Sequence, residues 1–234
     1  MKISILTLFP EMFEGPFDHS IIKRARDKKI VDINFVNIRD FGKGPHRIVD
    51  DKPYGGGKGM ILRVDVIDKA ISKVRESKEE QQRVVLLTPD GITFNQRVAE
   101  RFSKLKHLIL VCGHYEGFDK RVEKVVDEKV SIGDFIVTGG EIPAMTIVDA
   151  TVRLIKGVLK EGVTSKESFS PYLPRGKAGL EYPQYTRPRR YKNFQVPKVL
   201  LTGDHKKIAD WQHMQSIKNT LLNRSDLLNI KKRG

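Results

Sequence analysis

Three short stretches of the chain, each following an apolar run, combine glycine with polar side chains in a way that suits a small-molecule site. They are 88–91 (TPDG), 113–119 (GHYEGFD) and 131–143 (SIGDFIVTGGEIP). Glycine permits positive φ and lets the backbone approach a ligand closely. Turns at the carboxyl ends of parallel strands are where open α/β sheets bind ligands. Any one of these stretches is an ordinary turn of a core domain, but the three together favour a pocket.

The segment 50–60 (DDKPYGGGKGM) is a fourth candidate, because it holds four glycines within five positions. Its glycines suit a loop whose backbone surrounds a phosphate. It is not a P-loop, since its Gly-Lys pair is not followed by Ser or Thr, and it does not match G-x-G-x-x-G. A ligand-binding loop and a flexible surface loop are equally supported at this point.

The histidines and the single cysteine give no sign of a metal centre or of a nucleophilic enzyme. The six histidines and Cys112 show no metal-ligand spacing, and the chain has no G-x-S-x-G sequence. Cys112 ends an apolar run, which is typical of a buried structural thiol. We therefore expect no internal disulfide, no bound metal and no Ser-His-Asp hydrolase.

Apolar strand-like runs alternate with helical patterns through the first two thirds of the chain, which predicts an α/β domain with a largely parallel sheet. The predicted strands are 3–8, 31–38, 84–87 and 108–111, and the predicted helices are 20–29, 64–77, 95–103 and 143–156. A fifth helix is predicted at 204–223, with Asp204 as its N-cap. Its stripe would hold Ile208, Trp211, Gln215 and Leu222.

Regular patterning stops between 160 and 188, where Gly, Pro, Ser and charged residues dominate. A stretch of this length without periodicity is typical of a linker or a functional lid. We therefore predict three parts. They are an α/β domain at 1–159, a linker or lid at 160–188, and a small basic helical domain at 189–234.

Charge and composition narrow the function classes. The 234 residues include 43 Lys and Arg against 29 Asp and Glu, a net charge of +14, and residues 175–234 alone hold 14 against four. This asymmetry indicates a part that binds a polyanion, with an unpartnered lysine-rich surface as the alternative. No apolar stretch approaches the roughly 18 residues of a membrane helix, and no secretory signal is apparent. We expect a cytoplasmic protein.

Taken together, these stretches closely resemble the bacterial tRNA (guanine-N1)-methyltransferase family, TrmD, of the SPOUT methyltransferase superfamily. The similarity covers almost the whole chain, and the joint set of blocks is highly specific. The matching blocks are LFPEMF (8–13), RDF (39–41), VDDKPYGGGKGM (49–60), LVCGHYEGFDKRV (110–122), SIGDFIVTGGEIPAM (131–145), GVL (157–159), YTRP (185–188) and VPKVLLTGDHKKIADW (196–211).

The resemblance implies a fold, an assembly and a methyl donor. The fold is a SPOUT-type α/β domain whose parallel sheet ends in a deep trefoil knot, joined by a flexible linker to a small all-α C-terminal domain. The family is an obligate homodimer with shared active sites, which would bury the apolar helix after Pro143. In the family the knot holds S-adenosylmethionine. Its adenine ring would lie between the apolar side chains of Leu87, Ile132 and Val137. The matching positions are Leu87, Thr88, Pro89, Gly113, Tyr115, Glu116, Gly117, Ile132, Gly133, Asp134, Phe135, Ile136, Val137, Gly139, Gly140 and Pro143.

The resemblance also implies two catalytic residues. Guanine N1 must lose its proton to a general base, and O6 needs a donor where negative charge accumulates. The family assigns the base to an aspartate before a Ser-Phe pair, where this chain has Glu167, and the cation to an arginine that aligns with Arg153. Glutamate keeps the carboxylate with one more methylene, so we expect activity to survive. The family's activity is associated with magnesium, for which no residue cluster here identifies a site.

The implied substrate is tRNA, which the family methylates on guanosine 37, just 3′ of the anticodon, when the preceding base is also guanosine. Lysine and arginine neutralise phosphates, and interleaved aromatic rings stack on unpaired bases. The residues expected to bind tRNA are Arg187, Arg189, Arg190, Lys192, Lys206 and Lys207. Two alternatives stay open: a SPOUT methyltransferase acting at another RNA position, and a non-catalytic RNA-binding protein, which only the glutamate at 167 supports.

Overall fold

A computed structural model describes residues 1–76, 81–171, 173 and 177–228. The chain divides into two compact units, Met1–Leu159 and Lys160–Gly234. Three parts of the sequence predictions lie outside the described residues. These are Ser77 at the end of the second predicted helix, positions 172 and 174–176 of the predicted linker, and positions 229–234 of the predicted C-terminal domain.

The first unit is built on a five-stranded parallel sheet in the order β2-β1-β6-β5-β7. Two further strands of two residues each, β3 and β4, pair antiparallel. The strands are β1 (Lys2–Thr7), β2 (Asp32–Asn37), β3 (Asp50–Asp51), β4 (Ile61–Leu62), β5 (Gln82–Thr93), β6 (His107–Val111) and β7 (Glu128–Ser131).

Helices cover both faces of this sheet. Successive side chains of a strand point to opposite faces, so Val85 and Leu87 pack with α1, α3 and α4, whereas Val84 and Leu86 pack with α2. Strands covered on both faces read as continuous apolar runs, as the central strand β6 (HLILV) does, with all five of its residues buried. The helices are α1 (Ser20–Asp27), α2 (Val64–Val74), α3 (Gln96–Phe102) and α4 (Glu141–Val152), with 3₁₀ turns at Pro10–Phe13, Ile38–Phe41 and Lys120–Lys124.

The predicted α/β class and parallel sheet are confirmed, and the structure adds two features that the pattern did not predict. Strand β5 runs on through the predicted turn at 88–91, with an irregular register between Leu87 and Ile92. Strand β7, with the sequence EKVS, has one apolar residue, Val130, so no run of apolar residues marks it. Its pairing with β5 brings Ser131 and the turn that follows to the sheet.

The helix α4 buries its apolar residues in its own chain. Ala144, Ile147 and Val148 are fully buried in the core against the sheet. The sheet face beside the helix supplies the apolar surface that buries these three side chains. The homodimer stays a prediction. Ile142, in its first turn, remains 48% exposed.

The second unit contains one long helix, α5 (His205–Asn223), whose N-terminus is capped as predicted by Asp204, which accepts from Lys207 N at 3.1 Å. It also contains a small antiparallel hairpin, β8 (Arg190–Tyr191) and β9 (Phe194–Gln195), so the expectation of an all-helical part is wrong here. Strands of two residues are too short to show a sequence period. Among its described residues, 3₁₀ turns lie at Val163–Lys166, Lys198–Leu201 and Ser225–Leu228.

The predicted apolar stripe of α5 is wrong at one end. Leu222 is 73% exposed, whereas the fully buried side chains of this helix are Ser216 and Thr220. A rule that places apolar residues inside misses this face, because the helix buries hydroxyl groups that hydrogen-bond to another segment of the same unit.

Candidate active site

The three glycine-containing stretches surround one cavity of about 480 Å³ in the first unit. This volume lies within the range of small-molecule sites, about 300–1,000 Å³. Fifteen of the sixteen positions matched to donor binding line it, and the exposed Asp134 does not. The lining positions are Leu87, Thr88, Pro89, Gly113, Tyr115, Glu116, Gly117, Ile132, Gly133, Phe135, Ile136, Val137, Gly139, Gly140 and Pro143.

Two of the cavity turns meet through their backbones. Gly140, the N-cap of α4, donates its N–H to Gly113 O at 2.8 Å. A Cβ atom on Gly140 would lie 2.6 Å from Cys112 Cα and 2.7 Å from Gly113 N. Only glycine leaves room for this approach, so the residue type at 140 sets the spacing of the two turns.

The glycine-rich segment 50–60 packs against the cavity turn at its C-terminal end. Glu116 N donates to Met60 O at 3.1 Å, and Leu62 N donates to Gly117 O at 2.9 Å. Gly59 has φ +84°, and a Cβ there would lie 2.4 Å from Glu116 Cγ. This end of the segment is thus part of the wall behind the cavity, whereas Tyr54, near its other end, is 99% exposed.

A buried polar pair lies beneath the turns. Glu141, 2% exposed in the first turn of α4, accepts a hydrogen bond from Thr7 Oγ1 at 2.7 Å. Thr7 Oγ1 in turn accepts from Phe9 N at 3.0 Å. A carboxylate at a helix N-terminus also interacts favourably with the helix dipole. Cys112 is buried as predicted, and burial, followed by the charge of Glu141, raises the pKa of its thiol.

The rim of the cavity carries alternating charges. Lys129 Nζ bridges Asp90 Oδ2 at 2.6 Å and Glu123 Oε1 at 2.7 Å. Hydrogen bonds from Lys129 and then Thr88 lower the pKa of Asp90, and Lys120 and Lys129 lower that of Glu123. Both carboxylates therefore stay ionised at neutral pH. This network could not be predicted from the sequence, since no local signal links Asp90 to a lysine 39 positions away.

A family model described as tRNA (Guanine-1)-methyltransferase TrmD matches residues 1–230 of the chain. The chain belongs to this family. A protein of Carboxydothermus hydrogenoformans named tRNA (guanine-N(1)-)-methyltransferase is 52% identical over 233 residues, 99% of this chain and 88% of the relative. Proteins of the same name from Dictyoglomus turgidum (51%; 97% of this chain, 90% of the relative) and Enterococcus faecalis (47%; 97% and 91%) are similar over nearly the same length.

The two positions matched to catalytic residues of the TrmD family lie in different units. Arg153 is the half-buried C-cap of α4 in the first unit, where a cation also interacts favourably with the helix dipole. Glu167 follows the 3₁₀ turn at Val163–Lys166 in the second unit, half-buried and with extended backbone. Each has a defined backbone conformation, and their catalytic roles stay predictions.

The six positions matched to tRNA binding are all exposed on the second unit. Arg190 and Lys192 belong to the β8–β9 hairpin, and Lys192 Nζ lies 5.5 Å from the centre of the Tyr191 ring. Tyr191 and the opposite Phe194 are 62% and 75% exposed. Lys206 and Lys207 lie in the first turn of α5. Exposed rings between cations are the groups that stack on bases and contact phosphates.

Among the residues that the structure describes, no helix is long and apolar enough to cross a membrane. Within the same residues, no three or more His, Cys, Asp or Glu side chains come together in a way that could hold a metal ion.

Proposed function

We propose that this protein transfers a methyl group from S-adenosylmethionine to N1 of guanosine 37 in tRNA. Membership of the TrmD family and the names of its relatives support the reaction class, a tRNA guanine-N1 methyltransferase. The observation that carries the proposal is one cavity surrounded by three glycine-containing stretches, at the positions that match the family's donor site.

The residues around the cavity suit this donor. S-adenosylmethionine would supply the methyl group from its positively charged sulfonium. Leu87, Ile132 and Val137 offer apolar surface to a flat purine, while backbone groups of the glycine turns offer hydrogen bonds to its edge.

The methyl acceptor requires a base and a cation. Guanine N1 becomes nucleophilic only when its proton leaves, so we assign Glu167 to accept that proton and Arg153 to stabilise the charge that develops on O6. Glutamate carries the same carboxylate as the family's aspartate on a longer side chain. Magnesium has no assigned residue in this proposal.

The proposal includes an organisation for the whole chain. A knotted SPOUT domain at 1–159 holds the donor, 160–188 forms the linker, and the basic part at 189–234 binds the anticodon region of tRNA through its exposed cations. The protein works in the cytoplasm as a homodimer. The exposed apolar side chains of Phe135, Ile136 and Ile142, 56%, 81% and 48% exposed, support an association surface in the first unit.

Methylation of defined transcripts tests this function. The protein is incubated with isotopically labelled S-adenosylmethionine and a tRNA transcript carrying guanosine at positions 36 and 37, beside a transcript with adenosine at 37. Nuclease digestion and mass spectrometry then locate the label. We expect label on N1 of guanosine in the first transcript only. Label at another position would favour a different SPOUT methyltransferase.

Variants at 167 separate the enzyme from a binding protein that keeps the same fold. Glu167→Gln removes the base but keeps size and hydrogen-bonding ability, so we expect donor binding to persist and turnover to fall by about 10²–10⁴-fold. Glu167→Asp is the matched control and restores the family's carboxylate. Donor binding without methyl transfer by the unmodified protein would establish the binding protein instead.

A further inference from the structure

The helix α5 buries hydroxyl groups where an ordinary surface helix buries apolar side chains. Ser216 and Thr220, four positions apart and thus on one face of the helix, are both fully buried, while the neighbouring Leu221 and Leu222 are exposed. Burying a hydroxyl is unfavourable unless it is hydrogen-bonded. The partners of this face therefore account for its composition.

These partners are backbone groups of the segment 179–181. Thr220 Oγ1 accepts from Leu180 N at 2.8 Å and donates to Ser216 O at 2.8 Å. Ser216 Oγ donates to Leu180 O. Asn219 Nδ2 donates to Glu181 O at 3.0 Å. Three side chains of one helix face thus fasten both backbone groups of Leu180 and the carbonyl of the next residue.

The same segment holds the residues that follow Glu167. Phe169 N donates to Gly179 O at 2.6 Å, and Glu181 N donates to Ser168 Oγ at 3.0 Å. Gly179 is buried, and a Cβ there would lie 2.2 Å from Leu173 Cδ1. The segment 179–181 therefore lies between α5 and the stretch that begins at Glu167.

We propose that Ser216, Asn219 and Thr220 are positioning residues that place Glu167 for proton transfer by fastening 179–181 to α5. The inference rests on the proposed role of Glu167 as the base. The helix that provides this fastening also carries Lys206, Lys207 and Lys218 on exposed positions. One rigid element thereby joins the cations that contact RNA to the segment that carries the base, so substrate binding and base placement share a structural support.

The matched pair Thr220→Val and Thr220→Ser tests this proposal. Valine keeps the shape of threonine but loses the oxygen that accepts from Leu180 N, whereas serine keeps the oxygen. We expect Thr220→Val to speed hydrogen exchange at the amides of 179–181 about tenfold. An unsatisfied buried N–H destabilises the closed state by about 1–3 kcal/mol, and about 1.4 kcal/mol corresponds to a tenfold change in the opening equilibrium. It should lower kcat for tRNA methylation about tenfold while KM for tRNA and donor affinity change less than about twofold. Thr220→Ser should restore both values.

Two further variants keep the test informative if valine at 220 impairs folding. Asn219→Ala removes a half-buried donor to Glu181 O and should give a smaller change in the same direction. Leu222→Ala, on an exposed position of the same helix, should match the unmodified protein in exchange and in kcat. Far-UV circular dichroism confirms that each variant is folded.

Two outcomes would overturn the inference, and they differ from failure of the proposed function. Unchanged exchange at 179–181 in Thr220→Val and Asn219→Ala would show that the fastening does not exist in solution. Faster exchange with unchanged kcat, while Glu167→Gln is inactive, would show that the fastening does not place the base. Full activity of Glu167→Gln would instead refute the base assignment, and this inference with it.

Discussion

Alanine at position 140 is expected to force apart two turns of the cavity. Gly140 has φ −76° and ψ −6°, a conformation that alanine adopts without strain, so this substitution tests the contact alone. The added Cβ would lie 2.6 Å from Cys112 Cα and 2.7 Å from Gly113 N. Both are backbone atoms, so no side-chain rotation relieves the overlap.

The cost follows from the distance by which the turns must separate. Carbon atoms are in favourable contact at about 3.5–4.0 Å, so a shift of about 1 Å is needed. Overpacking of this kind costs about 1–3 kcal/mol, and the shift also lengthens the hydrogen bond from Gly140 N to Gly113 O. We expect a loss of about 3 kcal/mol in the free energy of unfolding, at the upper end of that range.

Urea unfolding measures the stability of Gly140→Ala, and titration calorimetry measures its affinity for S-adenosylmethionine, which we expect to fall at least about tenfold. Gly203→Ala is the control. Gly203 has φ +74° and open space around it. Its alanine variant should therefore lose only about 1 kcal/mol in the free energy of unfolding, the cost of holding alanine in a left-handed conformation, and should bind the donor normally. Stability within about 0.5 kcal/mol of the unmodified protein, with unchanged donor affinity, would refute the contact argument.

Two further predictions concern carboxylates. Thr7→Val removes the hydroxyl that donates to buried Glu141 and should cost about 2 kcal/mol in urea unfolding, beside Thr7→Ser as control; a cost below about 0.5 kcal/mol would contradict this. Arg63, and then Lys43, hold the pKa of the Asp65 carboxyl well below its usual range. The folded-state pKa is below the unfolded one, so this stabilisation is present above about pH 4 and is lost as the pH falls below it. Asp65→Asn should thus be less stable than the unmodified protein at pH 7, by up to about 1 kcal/mol in urea unfolding, because solvent screens the partly exposed pair. This difference should shrink below about pH 3. A difference that stays constant with pH would contradict the assignment of this pH dependence to Asp65.

Local features of the fold could be predicted where the relevant physics acts within a few residues. The predicted strands β1, β2, β5 and β6 are all present, and the interior strands β5 and β6 carry continuous apolar runs because both of their faces are covered. The caps Asn95 and Asp204 accept from backbone N–H groups two or three positions later. Element type was therefore predictable, and helix ends shifted by a few residues, since end positions depend on packing.

One strand and the buried face of one helix escaped prediction for physical reasons. β7 has one apolar residue and owes its existence to hydrogen bonds with β5 rather than to its own composition. The buried face of α5 is polar, because its partners are the backbone groups of Leu180 and Glu181. Apolar periodicity predicts burial only where the neighbouring surface is apolar. For this reason the prediction that Leu222 belongs to a buried stripe of α5 is wrong.

The candidate site shows the same division. Glycine and polar residues after apolar runs predicted the stretches that line the cavity, and the family resemblance supplied the proposed methyl donor, base and cation. The close approach of Gly140 to Cys112 and Gly113, and the rim network around Lys129, could not be derived from composition. They depend on which strands are neighbours in the sheet.

The sequence by itself determined the element types, the concentration of positive charge toward the C-terminus, and the stretches able to form ligand-binding turns. The tertiary structure alone decided that those turns share one cavity, because the order β6-β5-β7 brings the ends of three strands together. It also decided that Thr7 pairs with Glu141, 134 positions later, and that a helix in the second unit fastens the segment beside Glu167. Residue preferences act over a few positions along the chain, whereas strand pairing and core packing bring distant positions within hydrogen-bonding distance.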